Sequence, residues 1–263
     1  MPAKRKLIGL TGPSSFTQEC MDAIEEFFDA NFVLLYHGRD ANVNHWLGEV
    51  DGVILAGGID IHPTVYGESV WSNHNLSKFD IRRDGRELNI IDYCIGKGKP
   101  MLGICRGHQL LGIRHGMGFV MDISTSAICH QPQRQQIQHT TKEPMHSIKI
   151  INPSIVYGTY GMPQEPPERK VMRDVLSEKT RDRIWVNSFH HQAVAFNPKV
   201  KYAEEGIDIL GLARVDLTCC KEIVELMQGK RWLSCQWHPE YDWKDNTASR
   251  VILERFKTLL NEG

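Results

Sequence analysis

The chain has 263 residues, 41% of them hydrophobic and 24% charged, with 31 basic side chains against 32 acidic ones. A formal net charge of −1 gives no electrostatic reason to expect nucleic acid or an acidic membrane as a partner, and no apolar run reaches the ~18 residues of a membrane span. The length suffices for a large buried core, and the composition suits one compact domain over 1–263. Seven cysteines, an odd number with no C-x-x-C pair, and an N-terminus without the apolar core of a secretory signal predict a reduced, cytoplasmic setting.

Strand-like and helix-like runs alternate along the chain, which predicts an α/β fold: a mostly parallel sheet with helices on both faces. Leu7 to Thr11 reads as a first strand. Gln18 to Phe28 has apolar residues at helical spacing. Phe32 to Tyr36 and Gly52 to Ala56 read as further strands, the latter running into Gly57-Gly58. Arg83 to Ile95 reads as a helix with Leu88, Ile91 and Ile95 on its buried stripe, and Met101 to Ile104 as a core strand. The second half has shorter runs, at Ser147 to Ile151, Arg183 to Val186, Leu210 to Val215 and Glu222 to Met227, which suggest hairpins and an antiparallel extension. Trp232 to Gln236 reads as a strand and Ser249 to Leu260 as a closing amphipathic helix.

The chemistry concentrates at two places. Gly103-Ile104-Cys105-Arg106-Gly107-His108-Gln109 puts a cysteine between glycines where a buried strand turns into a helix. That is the geometry of a nucleophile elbow, with Gly103 and Gly107 making room for close backbone packing. Gln236-Trp237-His238-Pro239-Glu240 follows a second core strand, placing a histidine and a carboxylate at a strand end, where open α/β sheets build their sites. A buried cysteine alone is most often structural. The second motif turns the balance toward catalysis.

Cys105, His238 and Glu240 match, in local motif and chain order, the triad of class I glutamine amidotransferase-like proteins, a flavodoxin-like group. Within that superfamily the chain resembles the γ-glutamyl hydrolases, especially the γ-glutamyl-γ-aminobutyrate hydrolases. The finer resemblance rests on Gly57-Gly58-Ile59-Asp60-Ile61-His62-Pro63 with Tyr66-Gly67-Glu68, on Arg83-Asp84 with Glu87, on Asn187-Ser188-Phe189-His190-His191-Gln192-Ala193-Val194, and on Gln236 to Glu240. It spans about Leu7 to Leu260. Three departures lie outside the triad: His115-Gly116-Met117-Gly118-Phe119 replaces the family's "GGT" turn, Leu217 to Lys221 stands near a missing Asp-Gly turn, and Leu233-Ser234-Cys235 replaces the "GVQ" approach.

The resemblance implies a cysteine nucleophile at Cys105, with His238 as its base and Glu240 orienting the imidazole. It implies oxyanion donors at the backbone N–H groups of Gly58 and Arg106, and a glutamyl-binding region at Gln109, Ser188, Phe189 and His190. Asp60 and Tyr66 are expected to shape the polar loop 59–79. The substrate expected is a small γ-glutamyl amide, with no cofactor and no metal; Cys129, His130, His139 and His146 match no tight zinc spacing. A homodimer is compatible with the sequence. A second reading, a glutaminase subunit, requires a separate synthetase partner, and a third, a non-catalytic binding module, conflicts with an intact triad. The glutamine-rich segment 124–145 reads as a surface loop and a place for substrate selectivity, and the polar, proline-rich insertion 163–169 as a connector.

Overall fold

The computed structural model describes residues 5–12, 18–35, 42–69, 79–121, 123, 146–151, 183–197, 199–214 and 222–262. The loop 124–145, the 163–169 segment, Leu217 to Lys221 and the cysteines and histidines at 129, 130 and 139 lie outside the described residues.

In chain order the first half gives β1 (Leu7–Leu10), α1 (Gln18–Glu26), β2 (Asn31–Leu34), α2 (Asn42–Glu49), β3 (Gly52–Leu55), α3 (Ile81–Lys97), β4 (Met101–Ile104), α4 (Arg106–Arg114) and β5 (Gly118–Val120). The second half gives β6 (His146–Ile150), β7 (Arg183–Val186), β8 (Ala193–Ala195), β9 (Asp208–Arg214), β10 (Glu222–Gln228), β11 (Trp232–Cys235), α5 (Pro239–Asp242) and α6 (Thr247–Asn261). The strands form one sheet in the order β2-β1-β3-β4-β11-β10-β9-β6-β7, with β8 pairing both β10 and β5. From β2 to β11 all pairings are parallel; beyond β11 they are antiparallel. The architecture is therefore the expected one, a parallel sheet with an antiparallel extension.

Successive side chains of a strand point to opposite faces, and the parallel strands are apolar on both. On one face Ile8, Leu10, Ile54, Leu102, Ile104 and Leu233 pack against α1 and α6 through Ile24, Ile252 and Phe256. On the other, Val53, Leu55, Met101 and Trp232 meet Leu47 of α2, Ile90 and Ile91 of α3, and Leu110 and Leu111 of α4. Helices thus cover both faces.

Helix α3 runs past the expected range at both ends, and its buried stripe passes through Ile90, Ile91 and Cys94, while Ile95, expected on that stripe, is exposed. Its start is set by Asp80, whose carboxylate accepts from the Arg83 N–H at 3.0 Å, and its end by Gly98 in the left-handed region at φ 63°. Its buried residues include Arg83, Asp84 and Glu87, three charged side chains that face inward below the end of β3. The described part of the 59–79 loop carries a short 3-10 helix, Pro63–Tyr66. Strand β11 stops at Cys235, so Gln236 belongs to the site loop.

Candidate active site

Three neighbouring parallel strands, β3, β4 and β11, deliver their carboxyl ends to one crevice. After β3 come Gly57 and Gly58, after β4 comes Cys105, and after β11 comes His238. Cys105 caps α4 with φ 49° and ψ −100°, a backbone region that costs a non-glycine residue on the order of 1–3 kcal/mol. Packing holds it there. The Cys105 N–H donates to the Cys235 carbonyl at 2.9 Å, and a Cβ on Gly107 would lie 2.1 Å from the Leu55 carbonyl oxygen. A Cβ on Gly103 would lie 3.0 Å from the Gly107 backbone, so the elbow's two glycines leave room for strand and helix to touch.

His238 sits beside the sulfur. Its Nδ1 meets Glu240 Oε1 at 2.7 Å, and its side chain also hydrogen-bonds with Cys105. An ionised carboxylate only accepts, so Nδ1 carries a proton and Nε2 is left for the thiol side. Burial works against a charged His238, but the Glu240 carboxylate and Cys105 more than offset it and hold the imidazole well above its ordinary range. Pro239 opens α5, and with Glu240 two residues beyond the histidine both side chains turn into the same crevice. Gly57 closes the site from the other side: a Cβ there would lie 2.7 Å from His238 Cε1 and 3.7 Å from Cys105 Cβ.

His108, within the elbow motif, is a different kind of histidine. Its Nε2 faces the Val224 carbonyl at 2.8 Å and its Nδ1 the Ser234 hydroxyl at 3.0 Å; burial pushes its pKa down to about 4. It is a neutral tie between α4 and strands β10 and β11. The buried thiols of Cys20 and Cys235 are pushed well up, and that of Cys94 up to about 12, in each case chiefly by desolvation.

The other sequence-predicted residues fall around this centre in distinct ways. Arg106 is the first residue of α4, next to Cys105, with its guanidinium ion-paired to Asp84 and Glu87. The Gln109 amide donates to the Gln192 carbonyl at 2.9 Å and to Gln236 Oε1 at 3.2 Å, and the Gln236 amide in turn faces Cys105 Sγ at 3.6 Å. Gln109 thus reaches the sulfur through Gln236. Phe189 stands edge-on to the His238 ring, centroids 5.7 Å apart, and forms a wall of the crevice. Ser188 is fully buried beside it in sequence. His190 turns inward: its Nδ1 donates to the Gln192 carbonyl at 2.9 Å, and its Nε2 lies 3.8 Å from Glu225, which His146 Nε2 approaches at 3.2 Å. Asp60 takes His191 Nε2 between its two oxygens, at 3.0 and 3.1 Å, joining the loop after β3 to the one before β8. Tyr66 packs on Phe119, centroids 4.5 Å apart.

Two site residues carried no assigned role in the sequence reading. Gln236 is one. The other is Asn187, whose amide brackets the His238 backbone, accepting from its N–H at 2.9 Å and donating to its carbonyl at 2.8 Å. Its signal was present in the Asn187 to Val194 stretch, but the partner lies 51 residues away.

Known proteins share the sequence pattern and the fold of this chain. The chain is 28% identical over 244 residues to YvdE of Lactococcus lactis, named as glutamine amidotransferase-like, covering 92% of this chain and 88% of that protein. It is 25% identical over 214 residues to PuuD of Escherichia coli, a gamma-glutamyl-gamma-aminobutyrate hydrolase, covering 81% of this chain and 72% of the other. Among solved structures, the glutaminase domain of Trypanosoma brucei CTPS has the same fold, with a TM-score of 0.53 at 11% identity over 98% of this chain and 94% of that one. The Peptidase C26 family pattern matches residues 4–240, and the chain belongs to that class I glutamine amidotransferase-like family.

Proposed function

We propose that this chain is a cysteine hydrolase that cleaves the γ-glutamyl amide bond of a small γ-glutamyl amine or amino acid, giving glutamate and the free amine. The observation that carries the reading is the Cys105–His238–Glu240 constellation at the ends of adjacent strands. The similarity to PuuD supports the choice of bond.

The proposed reaction runs in two halves. The Cys105 proton passes to His238 Nε2, and the sulfur attacks the γ-carbonyl carbon while the carbonyl oxygen gains negative charge. The backbone N–H groups of Gly58 and Arg106 receive that charge; each such donor is worth roughly 3–4 kcal/mol of barrier. The carbon–nitrogen bond then breaks as His238 protonates the leaving amine, leaving a γ-glutamyl thioester. In the second half His238 takes a proton from water, hydroxide attacks the thioester, and glutamate departs as the thiol is restored. Glu240 holds the imidazole in the required tautomer throughout and stabilises its charged form. Gln109, Ser188, Phe189 and His190 are proposed to form the glutamyl side of the pocket, Gln109 acting through Gln236.

A second reading, a glutaminase delivering ammonia to a separate synthetase, draws on the similarity to YvdE. Glutamate release from glutamine and from a panel of γ-glutamyl amines, with no other protein present, separates the two. The hydrolase reading expects at least one γ-glutamyl amine to be cleaved with kcat/KM above that for glutamine. Glutamine cleavage that appears only with an added synthetase, and no cleavage of any amine, would overturn it.

A further inference from the structure

A buried charge cluster lies directly beneath the proposed oxyanion site. Arg83 on α3 donates from Nη2 to the Gly57 carbonyl at 2.8 Å and to the Ala56 carbonyl at 3.3 Å, and from Nε to Glu87 Oε1 at 2.8 Å. The other Glu87 oxygen is ion-paired with the Arg106 guanidinium, which also pairs with Asp84. Asp84 accepts from the His62 N–H at 3.0 Å, and the Thr11 hydroxyl, which hydrogen-bonds with Glu87, accepts from the Ala56 N–H at 3.3 Å. All four charged side chains are at most 2% exposed. Breaking a buried ion pair is costly, so the cluster is rigid or the fold fails.

The Gly57 carbonyl and the Gly58 N–H belong to one planar peptide, and among the described residues no peptide bond is cis. Carbonyl and N–H of a trans peptide point in opposite directions, so gripping one aims the other. The guanidinium lies close against that peptide: a Cβ on Gly58, at φ 151°, would come 2.1 Å from Arg83 Nη1. A cation bonded to the carbonyl also polarises the N–H toward stronger donation. The second proposed donor, the Arg106 N–H, belongs to the residue whose side chain grips the other oxygen of Glu87.

We propose that Arg83 is a positioning residue that orients and polarises the Gly57–Gly58 peptide as an oxyanion donor, and that Glu87 locks this donor to the one at Arg106. The inference rests on the reading of Cys105 as a nucleophile toward carbonyl groups, but not on which amide is the substrate.

The test compares two reactions of the same sulfur. With p-nitrophenyl acetate, the sulfur–carbon bond forms through an oxyanion and p-nitrophenolate leaves. With iodoacetamide, sulfur displaces iodide at a saturated carbon and no oxyanion arises. Arg83→Lys keeps the charge but loses the fork that spans Gly57 and Glu87. It is expected to slow the acylation burst at Cys105 by roughly tenfold or more while alkylation stays near the wild-type rate. Should Arg83→Lys not fold, Glu87→Gln, which keeps the shape of the buried side chain, carries the same comparison. Unchanged acylation, or acylation and alkylation slowed together, overturns the proposal. A wild type acylated by the ester but inert to every γ-glutamyl amide sinks the substrate assignment and leaves this comparison standing. A wild type with no burst at all overturns both.

Discussion

Asn187 holds the main chain of His238 by a closed pair of hydrogen bonds, one to its carbonyl at 2.8 Å and one from its N–H at 2.9 Å. The imidazole is therefore anchored at both ends, by Glu240 on the ring and by Asn187 on the backbone. Asn187→Ala leaves a buried N–H and a buried carbonyl without these partners, which costs about 1–3 kcal/mol for each group that water cannot reach. Thermal denaturation should show that loss. Turnover should fall by on the order of tenfold or more, because a histidine displaced by a fraction of an ångström no longer meets the sulfur.

Glu240→Gln should lower the His238 pKa. The carboxylate is a main reason that imidazole is held above its ordinary 6.5, and a neutral amide removes the attraction. A raised folded-state value means that the stabilisation is complete below 6.5 and fades as pH climbs through the raised one. The melting-temperature deficit of Glu240→Gln is therefore expected to be larger at mildly acidic pH than at alkaline pH. Titration of the His238 ring by NMR checks the shift itself. In kcat/KM the variant should be less damaged than His238→Asn, since Glu240 transfers no proton.

Gly57→Ala puts a methyl carbon 2.7 Å from His238 Cε1, inside contact distance. The ring must move or tilt, and a misplacement of this kind costs on the order of 10²-fold in rate. The effect should fall on kcat more than on stability, because the methyl meets the side chains of His238 and Cys105 and not the apolar core. A melting temperature that collapsed while the surviving folded enzyme kept full kcat would contradict this placement.

The parallel half of the fold was legible because its strands are short apolar runs, with β3 running into glycines and β4 and β11 into the two motifs, and β4 occupies the residues expected for it, Met101–Ile104. The ends of α3 were less so, since Arg82 and Lys97 are polar and the start and stop signals, Asp80 and Gly98, lie outside the apolar pattern. Helix α2 is only two turns long, and its apolar Val43, Trp46 and Leu47 are diluted by polar neighbours and Gly48. Strand β5 is three residues long and owes its state to pairing with β8. At the site, Cys105, His238 and Glu240 stand out because each sits in a compact motif. The links Asn187–His238, Gln109–Gln236–Cys105 and Arg83–Gly57 join residues 26 to 131 positions apart, and no local pattern encodes such pairs.

The proposed reaction requires that Cys105 become acylated by a γ-glutamyl group. Acid quenching of the enzyme during turnover of γ-glutamyl p-nitroanilide, followed by peptide mapping, measures this directly. One γ-glutamyl acyl group is expected on the peptide that holds Cys105, none on those holding Cys20, Cys94 or Cys235, and none in Cys105→Ala, which should fold normally and release no glutamate. Steady glutamate release from Cys105→Ala, or an acyl group found on another residue, would contradict it.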